Sequence, residues 1–163
     1  MDFIHQSRQY IFQIAIFADM EDTMIIQPHI RDIDGILNLW ETMVDESYPL
    51  RSYDERILQA RSVLKGKLEL LPTIRILKNR KGVIVAFIRV SDEVISSLYV
   101  HPMERRKGYA SQLVGHVLEH MRITGVRLRN PENCIISFYR KFGFRPEDNI
   151  TGHNRKVYLV RQH

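Results

Sequence analysis

The chain has 163 residues, 44% of them hydrophobic and 26% charged, the balance of an ordinary globular domain with enough length for one proper core. Its net charge of +5 favours an anionic partner such as nucleic acid, anionic lipid or a phosphorylated cofactor, without choosing among them. A single cysteine, Cys134, excludes an internal disulfide, and no apolar run is long enough to span a membrane as a helix, so a cytoplasmic setting without a membrane partner is expected.

YIFQIAIFA, Tyr10 to Ala18, has the apolar centre of a leader sequence, with Arg8 beside it. Asp2 lies where such a leader should be basic, however, and DMEDT follows where small cleavage-site residues belong. Residues 1–23 are therefore read as an N-terminal extension without an assigned role and residues 24–163 as a single domain, with no repeat, low-complexity tract or linker. MIIQPHI, Met24 to Ile30, predicts a short strand whose Pro28 suits an edge or a strand end. Ile33, Ile36, Leu37, Trp40, Met43 and Val44 follow at helical spacing. SYDE, Ser52 to Glu55, is a capping-box pattern that predicts a second helix to about Leu64.

TIRILKN and GVIVAFIRV flank Arg80, Lys81 and Gly82 and predict a hairpin; EVISSLYV, Glu93 to Val100, predicts a third strand ended by Pro102. A helix to about Ile123 is predicted next, with Gly125 as its stop. VRLR then predicts a brief strand. Asn130 and Pro131 form an N-cap and first-turn pair for a helix through Phe142 closed by Gly143, and HNRKVYLVRQ predicts a last strand. The order implies a mixed α/β fold with an antiparallel meander feeding a strand–helix–strand crossover.

The helix after Pro102 opens against local preference. Arg105, Arg106, Lys107 and Gly108 occupy its start, where each cation costs roughly 0.3–1 kcal/mol against the helix dipole and a glycine about 1 kcal/mol. These violations become consistent if a polyphosphate sits on the unpaired N–H groups of the first turn, since Gly108 and Ala110 would let it approach the main chain. A solvated basic turn is the alternative. A P-loop is excluded because Lys107 precedes Gly108 and no Lys-Ser or Lys-Thr pair follows, and a dinucleotide fingerprint is excluded because only one of its three glycines is present.

VHPMERRKGYASQLV, Val100 to Val114, resembles motif A of the GNAT superfamily of acetyl-CoA-dependent N-acetyltransferases: Arg105, two residues, Gly108, one residue, Ala110. ISFYRKFGF, Ile136 to Phe144, is similar to the family's motif B, and the element order matches from about Met24 onward. The resemblance implies a central mixed, mostly antiparallel sheet flanked by about four helices, acetyl-CoA as cosubstrate, no metal, and a primary amine on a small molecule or protein as acceptor. It implies that Arg105 and the N–H groups of Arg106, Lys107, Gly108, Tyr109, Ala110 and Ser111 hold the pyrophosphate. The main chain of Leu98, Tyr99 and Val100 would pair with the pantetheine arm, one N–H there polarising the thioester carbonyl. Tyr139 stands where many relatives place the acid that protonates the departing thiolate. Seven positions earlier, where the family often has an asparagine on the cofactor arm, this chain has Glu132, and Asn133 is the nearest asparagine.

No general base is assigned; water, Glu93, Glu46 and His101 are equally arguable. In the loop from Asp45 to Tyr53, Asp45 and Glu46 could attract a cationic amine while Trp40, Tyr48 and Tyr53 line a pocket. His116 and His120 share a polar stripe with Gln112 and Glu119 and are read as solvated rather than as zinc ligands. Cys134 is read as a small buried thiol, since transfer in this family is usually direct. No nucleic-acid motif accompanies the basic charge, so a nucleic-acid partner is not expected. A regulatory module that keeps the cofactor site without turnover is the competing reading, and a homodimer is left open.

Overall fold

The computed structural model describes residues 23–47, 68–129, 131–147 and 156–162. Seven strands form one sheet: β1 Met24–Ile26, β2 Ile74–Lys78, β3 Ile84–Ser91, β4 Val94–Val100, β5 Gly125–Arg129, β6 Phe144–Pro146 and β7 Lys156–Arg161. Their spatial order is β1-β2-β3-β4-β5-β7-β6, and every neighbouring pair is antiparallel except β4 with β5. Three α-helices lie among the described residues: α1 Ile33–Ser47, α2 Tyr109–His120 and α3 Asn133–Arg140. This is the expected mixed, mostly antiparallel architecture. The helix expected from Ser52 to about Leu64 lies outside the described residues, as does nearly all of the N-terminal extension.

Each face of the sheet has its own core. Ile33, Ile36 and Leu37 of α1 meet Ile74, Ile76, Phe87 and Tyr99 on one face. On the other, Leu113, Val114 and Val117 of α2 and Tyr139 of α3 meet Leu77, Ile88, Ile95, Val126 and Leu159. The entry to α1 is fixed by Asp32, 7% exposed, whose Oδ2 accepts the His29 N–H at 2.9 Å and whose Oδ1 accepts Lys78 Nζ at 2.7 Å. Burial pushes this carboxyl up, but the Lys78 and His29 hydrogen bonds outweigh it and hold the group below its ordinary range. Trp40 stacks on Phe87 with ring centroids 6.2 Å apart, so it belongs to the core and not to a pocket wall as the sequence suggested.

The meander is closed by two different turns. Asn79 Oδ1 accepts the N–H groups of Lys81 and Val83, which shapes the β2–β3 turn. Asp92 and Glu93, at φ 52° and 62°, form the two-residue β3–β4 turn with both central residues left-handed, the backbone that matches the twist of a hairpin.

Two helix boundaries differ from expectation. α2 ends at His120, with Met121 already extended, and Gly125 is not its stop but the first, buried residue of β5. A Cβ at Gly125 would lie 2.6 Å from the Tyr158 hydroxyl and 2.9 Å from the Leu159 carbonyl oxygen. The glycine therefore serves strand contact. α3 starts later than Asn130–Pro131 predicts: Glu132 is the extended residue before the helix and its side chain caps nothing.

The Gly125 contact gives a test. Gly125→Ala should destabilise the fold by about 1–3 kcal/mol through overpacking. Gly115→Ala, in α2 with nothing within 4 Å of the new methyl, should instead be neutral or stabilising by up to about 1 kcal/mol. Chemical denaturation of the two variants checks the contrast; equal midpoints would contradict the close strand contact.

Candidate active site

β4 and β5 touch only at their beginnings. Val94 pairs with Gly125 and Ile95 with Val126, and no further residue of either strand is in register with the other. Divergence begins at an irregularity in β4: Arg89 of β3 is opposite Ser97 while Val90 is opposite Ile95, so Ser96 is an extra, bulged residue. A bulge sharpens the local twist and bends the strand that carries it. The bulge also resets the pleat, so that Ile95 and Leu98, three apart, both serve the α2–α3 core.

Beyond the bulge β4 offers open main chain. His101 N donates to Val85 O at 2.9 Å. By the alternation of an antiparallel ladder, the N–H and C=O groups of Leu98 and Val100 then point away from β3, into the gap. A cleft of about 720 Å³ occupies that gap, with Ser97 to Val100 on one wall, Arg127 to Arg129 on the other, and Tyr139 from α3.

At the mouth of the cleft lies the basic turn. Arg106 and Gly108 are left-handed, at φ 67° and 81°. For Arg106, which has a side chain, that conformation costs of order 1–2 kcal/mol. Turns of this kind direct successive N–H groups into one concavity that suits an anion. The N–H groups of Arg106, Gly108, Tyr109, Ala110 and Ser111 have no backbone partner among the described residues; the first to close the α2 ladder is Gln112, donating to Gly108 O at 3.0 Å. No side chain caps α2, no acid lies in its first turn, and a Cβ at Gly108 would meet nothing within 4 Å. Lys107 Nζ is paired with Glu104 at 2.7 Å. The Tyr109 side chain is core, so only its main chain faces the turn.

Arg105 is held differently from its neighbours. Its guanidinium makes a two-pronged pair with Glu46 at 2.7 and 2.6 Å, its Nε donates to Val100 O at 3.1 Å, and it lies 5.6 Å from the Tyr99 ring centroid. Tyr99 donates its hydroxyl to the same Glu46 at 2.7 Å. The Arg105 hydrogen bond holds the Glu46 carboxyl below its usual range, and burial together with Glu46 pushes the Tyr99 hydroxyl well above that of an ordinary tyrosine. Glu46 thus joins the end of α1 to both β4 and the basic turn.

Tyr139 is 3% exposed and lines the cleft. Phe144 meets its ring edge-on, with centroids 6.0 Å apart, and Phe138 lies at a similarly steep angle. Its hydroxyl has no hydrogen-bond partner among the described residues, and burial raises it well above the ordinary tyrosine range. An O–H without a protein partner on a cleft wall is available to a ligand.

Of the residues the sequence nominated, Leu98, Tyr99, Val100, Arg105, Ala110 and Tyr139 share the cleft wall. Arg106, Lys107, Gly108, Tyr109 and Ser111 are at its mouth by sequence neighbourhood, and Asn133 is exposed on α3 and off the wall. Cys134 is exposed on that wall, 3.6 Å from Glu132, because α3 begins at the rim; it is not the buried thiol expected. Of the candidate bases, Glu93 sits at the closed end of β4, 3.5 Å from Arg122, and His101 Nδ1 accepts from Met103 N. Glu46 alone is in the cleft, and its oxygens are taken. His116 and His120 stack 4.4 Å apart, and no group of three candidate metal ligands occurs among the described residues. The arginines of β5 were not nominated; only the alternation in VRLR hinted at them.

Comparison with known proteins agrees with this geometry. Residues 73–146 match the family described as acetyltransferase (GNAT) domain. The Cysteine-rich protein 2-binding protein of Homo sapiens is 32% identical over 85 residues, which are 48% of this chain and 11% of that protein. The match therefore spans about a tenth of the relative's length. Among solved structures, the PaiA N-acetyltransferase of Thermoplasma acidophilum, in complex with coenzyme A, superimposes with a TM-score of 0.67 at 16% identity, over 86% of this chain and 99% of that one. Naa50 of Arabidopsis thaliana, in complex with the bisubstrate analogue CoA-Ac-MVNAL, gives 0.57 at 18% identity over 87% and 99%. At such identities the structural likeness speaks for the fold. The family match, with the two motifs in order on the expected elements, shows an acetyltransferase (GNAT) domain over residues 73–146.

Proposed function

We propose that this protein is an N-acetyltransferase that moves an acetyl group from acetyl-CoA directly to a primary amine. The observation that carries the reading is the convergence on one cleft of an unpaired stretch of β4, an uncapped basic turn and the unpartnered hydroxyl of Tyr139. The pyrophosphate of acetyl-CoA takes the N–H groups from Arg106 to Ser111. The pantetheine amides complete the ladder on Leu98 and Val100 as an added strand would. An N–H of the same stretch stabilises the oxyanion formed when the amine attacks the thioester carbonyl. As the carbon–sulfur bond breaks, Tyr139 gives its proton to the thiolate; its raised pKa keeps the hydroxyl protonated past the pH at which an exposed tyrosine ionises. Water is the simplest recipient of the proton shed by the amine.

A second reading, a regulatory module that binds acetyl-CoA without turnover, has two observations behind it. Asn133 stands off the cleft wall, and Glu46, which lines the cleft, is engaged by Arg105 and Tyr99.

Acetyl-CoA at a hundred times its dissociation constant should stabilise the protein by about 2.7 kcal/mol, read as a rise in Tm. Gly108→Glu, which places a carboxylate at the phosphate approach, should abolish that rise. A melt unmoved by millimolar acetyl-CoA in the wild type would remove the cofactor assignment.

Tyr139→Phe separates enzyme from module. Loss of the general acid should lower kcat by at least about tenfold while the acetyl-CoA-induced shift in Tm is kept, since general-acid assistance typically contributes 10²–10⁴-fold. Equal kcat for both proteins with chemistry rate-limiting would take the hydroxyl out of the mechanism.

We further propose that residues 1–23 are an extension to a domain that starts at Met24. A chain starting at Met24 should be soluble and keep the acetyl-CoA shift. Aggregation, or loss of the shift, would make the extension part of the fold.

A further inference from the structure

The register of the second half of the sheet gathers cations on one face. In β5, Val126 and Leu128 serve the α2–α3 core, so Arg127 and Arg129 belong to the opposite face, the one α1 packs against further along the sheet. Arg127 and Arg129 are in register with Tyr158 and Lys156 of β7. Arg145 of β6 is opposite Val160 and so lies on the same face. Among the described residues of β5, β6 and β7 and their ends, the acid beside this face is Glu147, whose N–H donates to Tyr158 O. Neither Arg127 nor Arg129 has an ion-pair or hydrogen-bond partner among the described residues, and both are exposed. Tyr158, the cross-strand neighbour of Arg127, turns its ring over Gly125 toward the closed end of the sheet and leaves the arginines uncovered.

Both arginines line the same cleft as Leu98 to Val100 and Tyr139. Two acids line that cleft with them: Glu46 is paired with Arg105, and Glu132 forms no ion pair with either arginine. Spaced two residues apart on a strand, their Cα atoms are roughly 7 Å apart, a separation suited to two carboxylates on alternate residues of an extended ligand. A guanidinium offers each carboxylate a paired donor fork.

We infer that Arg127 and Arg129 form the acceptor subsite, and that the acceptor is an amine carrying negative charge beside its amino group, an acidic peptide amino terminus or a small acidic amine. This rests on the transferase reading for the identity of the transferred group, but recognition of the acid can be measured without turnover. Glu46 on the opposite wall then does not select a cationic acceptor, because Arg105 already cancels it.

The test uses the full chain with fluorescent decapeptides that differ only in residues 2 to 4, as Asp/Glu, Gln or Lys, in anisotropy titrations with and without coenzyme A. The acidic peptide should bind at least about tenfold more tightly than the lysine peptide, with a strong salt dependence. Arg127→Gln/Arg129→Gln should erase the preference, and Arg127→Glu/Arg129→Glu should invert it, each with the acetyl-CoA shift in Tm unchanged. Free aspartate displacing the acidic peptide at low millimolar concentration would identify the small acidic amine as the source; no displacement identifies the peptide terminus. Equal affinity for the three peptides, or a preference that survives both double substitutions, overturns the inference. So does a double substitution that removes only salt-sensitive retention on duplex DNA, which would make the stripe a nucleic-acid surface. Absence of an acetyl-CoA shift in the wild type would instead strike the transferase reading, while the peptide titrations still decide the subsite.

Discussion

Two residue pairs, Val94 with Gly125 and Ile95 with Val126, join the halves of a seven-stranded sheet. A sheet normally satisfies the main chain of its inner strands from both sides, because an unmet N–H or C=O away from water costs free energy. Here the pairing stops and the two strands part, so the interior of the sheet contains a ladder with one rail missing. Everything proposed for the site depends on that omission: the open groups of Leu98 and the open N–H of Val100, the volume between the walls, and the place of Tyr139 on one of them. The Ser96 bulge sets where the omission begins, and the tight seat of Tyr158 over Gly125 keeps the joint closed just before it.

The mouth of the cleft follows the same economy. The first turn of α2 has no cap, no acid and two left-handed residues, and Glu46 reaches from α1 to hold Arg105. Arg105 thereby connects the end of α1, 59 positions earlier, to β4 and the basic turn.

Much of the fold was legible because it obeys local rules. The period-two pattern of β2, β3 and β4, the helical stripe of α1 and the misfit start of α2 each carry their own signal, and the two motifs order them. Other features are set by contacts the sequence does not display. Gly125 reads as a helix stop because glycine commonly is one, yet its position is dictated by a tyrosine more than thirty residues away. Cys134 reads as buried because small thiols usually are, but α3 starts at the rim of a cleft that no local pattern announces. Trp40 looked like a pocket residue until Phe87 was placed beneath it. Glu46 and Arg105 are each ordinary charged residues in the sequence, 59 positions apart; only the fold makes them partners.

The parted strands have a consequence for how the protein avoids its own kind. Unpaired strand edges are templates for foreign strands, and most proteins guard them at the margins of a sheet with short strands, prolines and cations. This sheet has short margins, three residues each in β1 and β6, the latter ending in Pro146. It also has an internal pairing edge, along β4 beyond Ile95, where a stray extended segment could enter as a cofactor arm would. Arg105, seated on the Val100 carbonyl, plays there the part that lysines play on outer edges: a charge that a hydrophobic strand would have to displace and desolvate before it could pair.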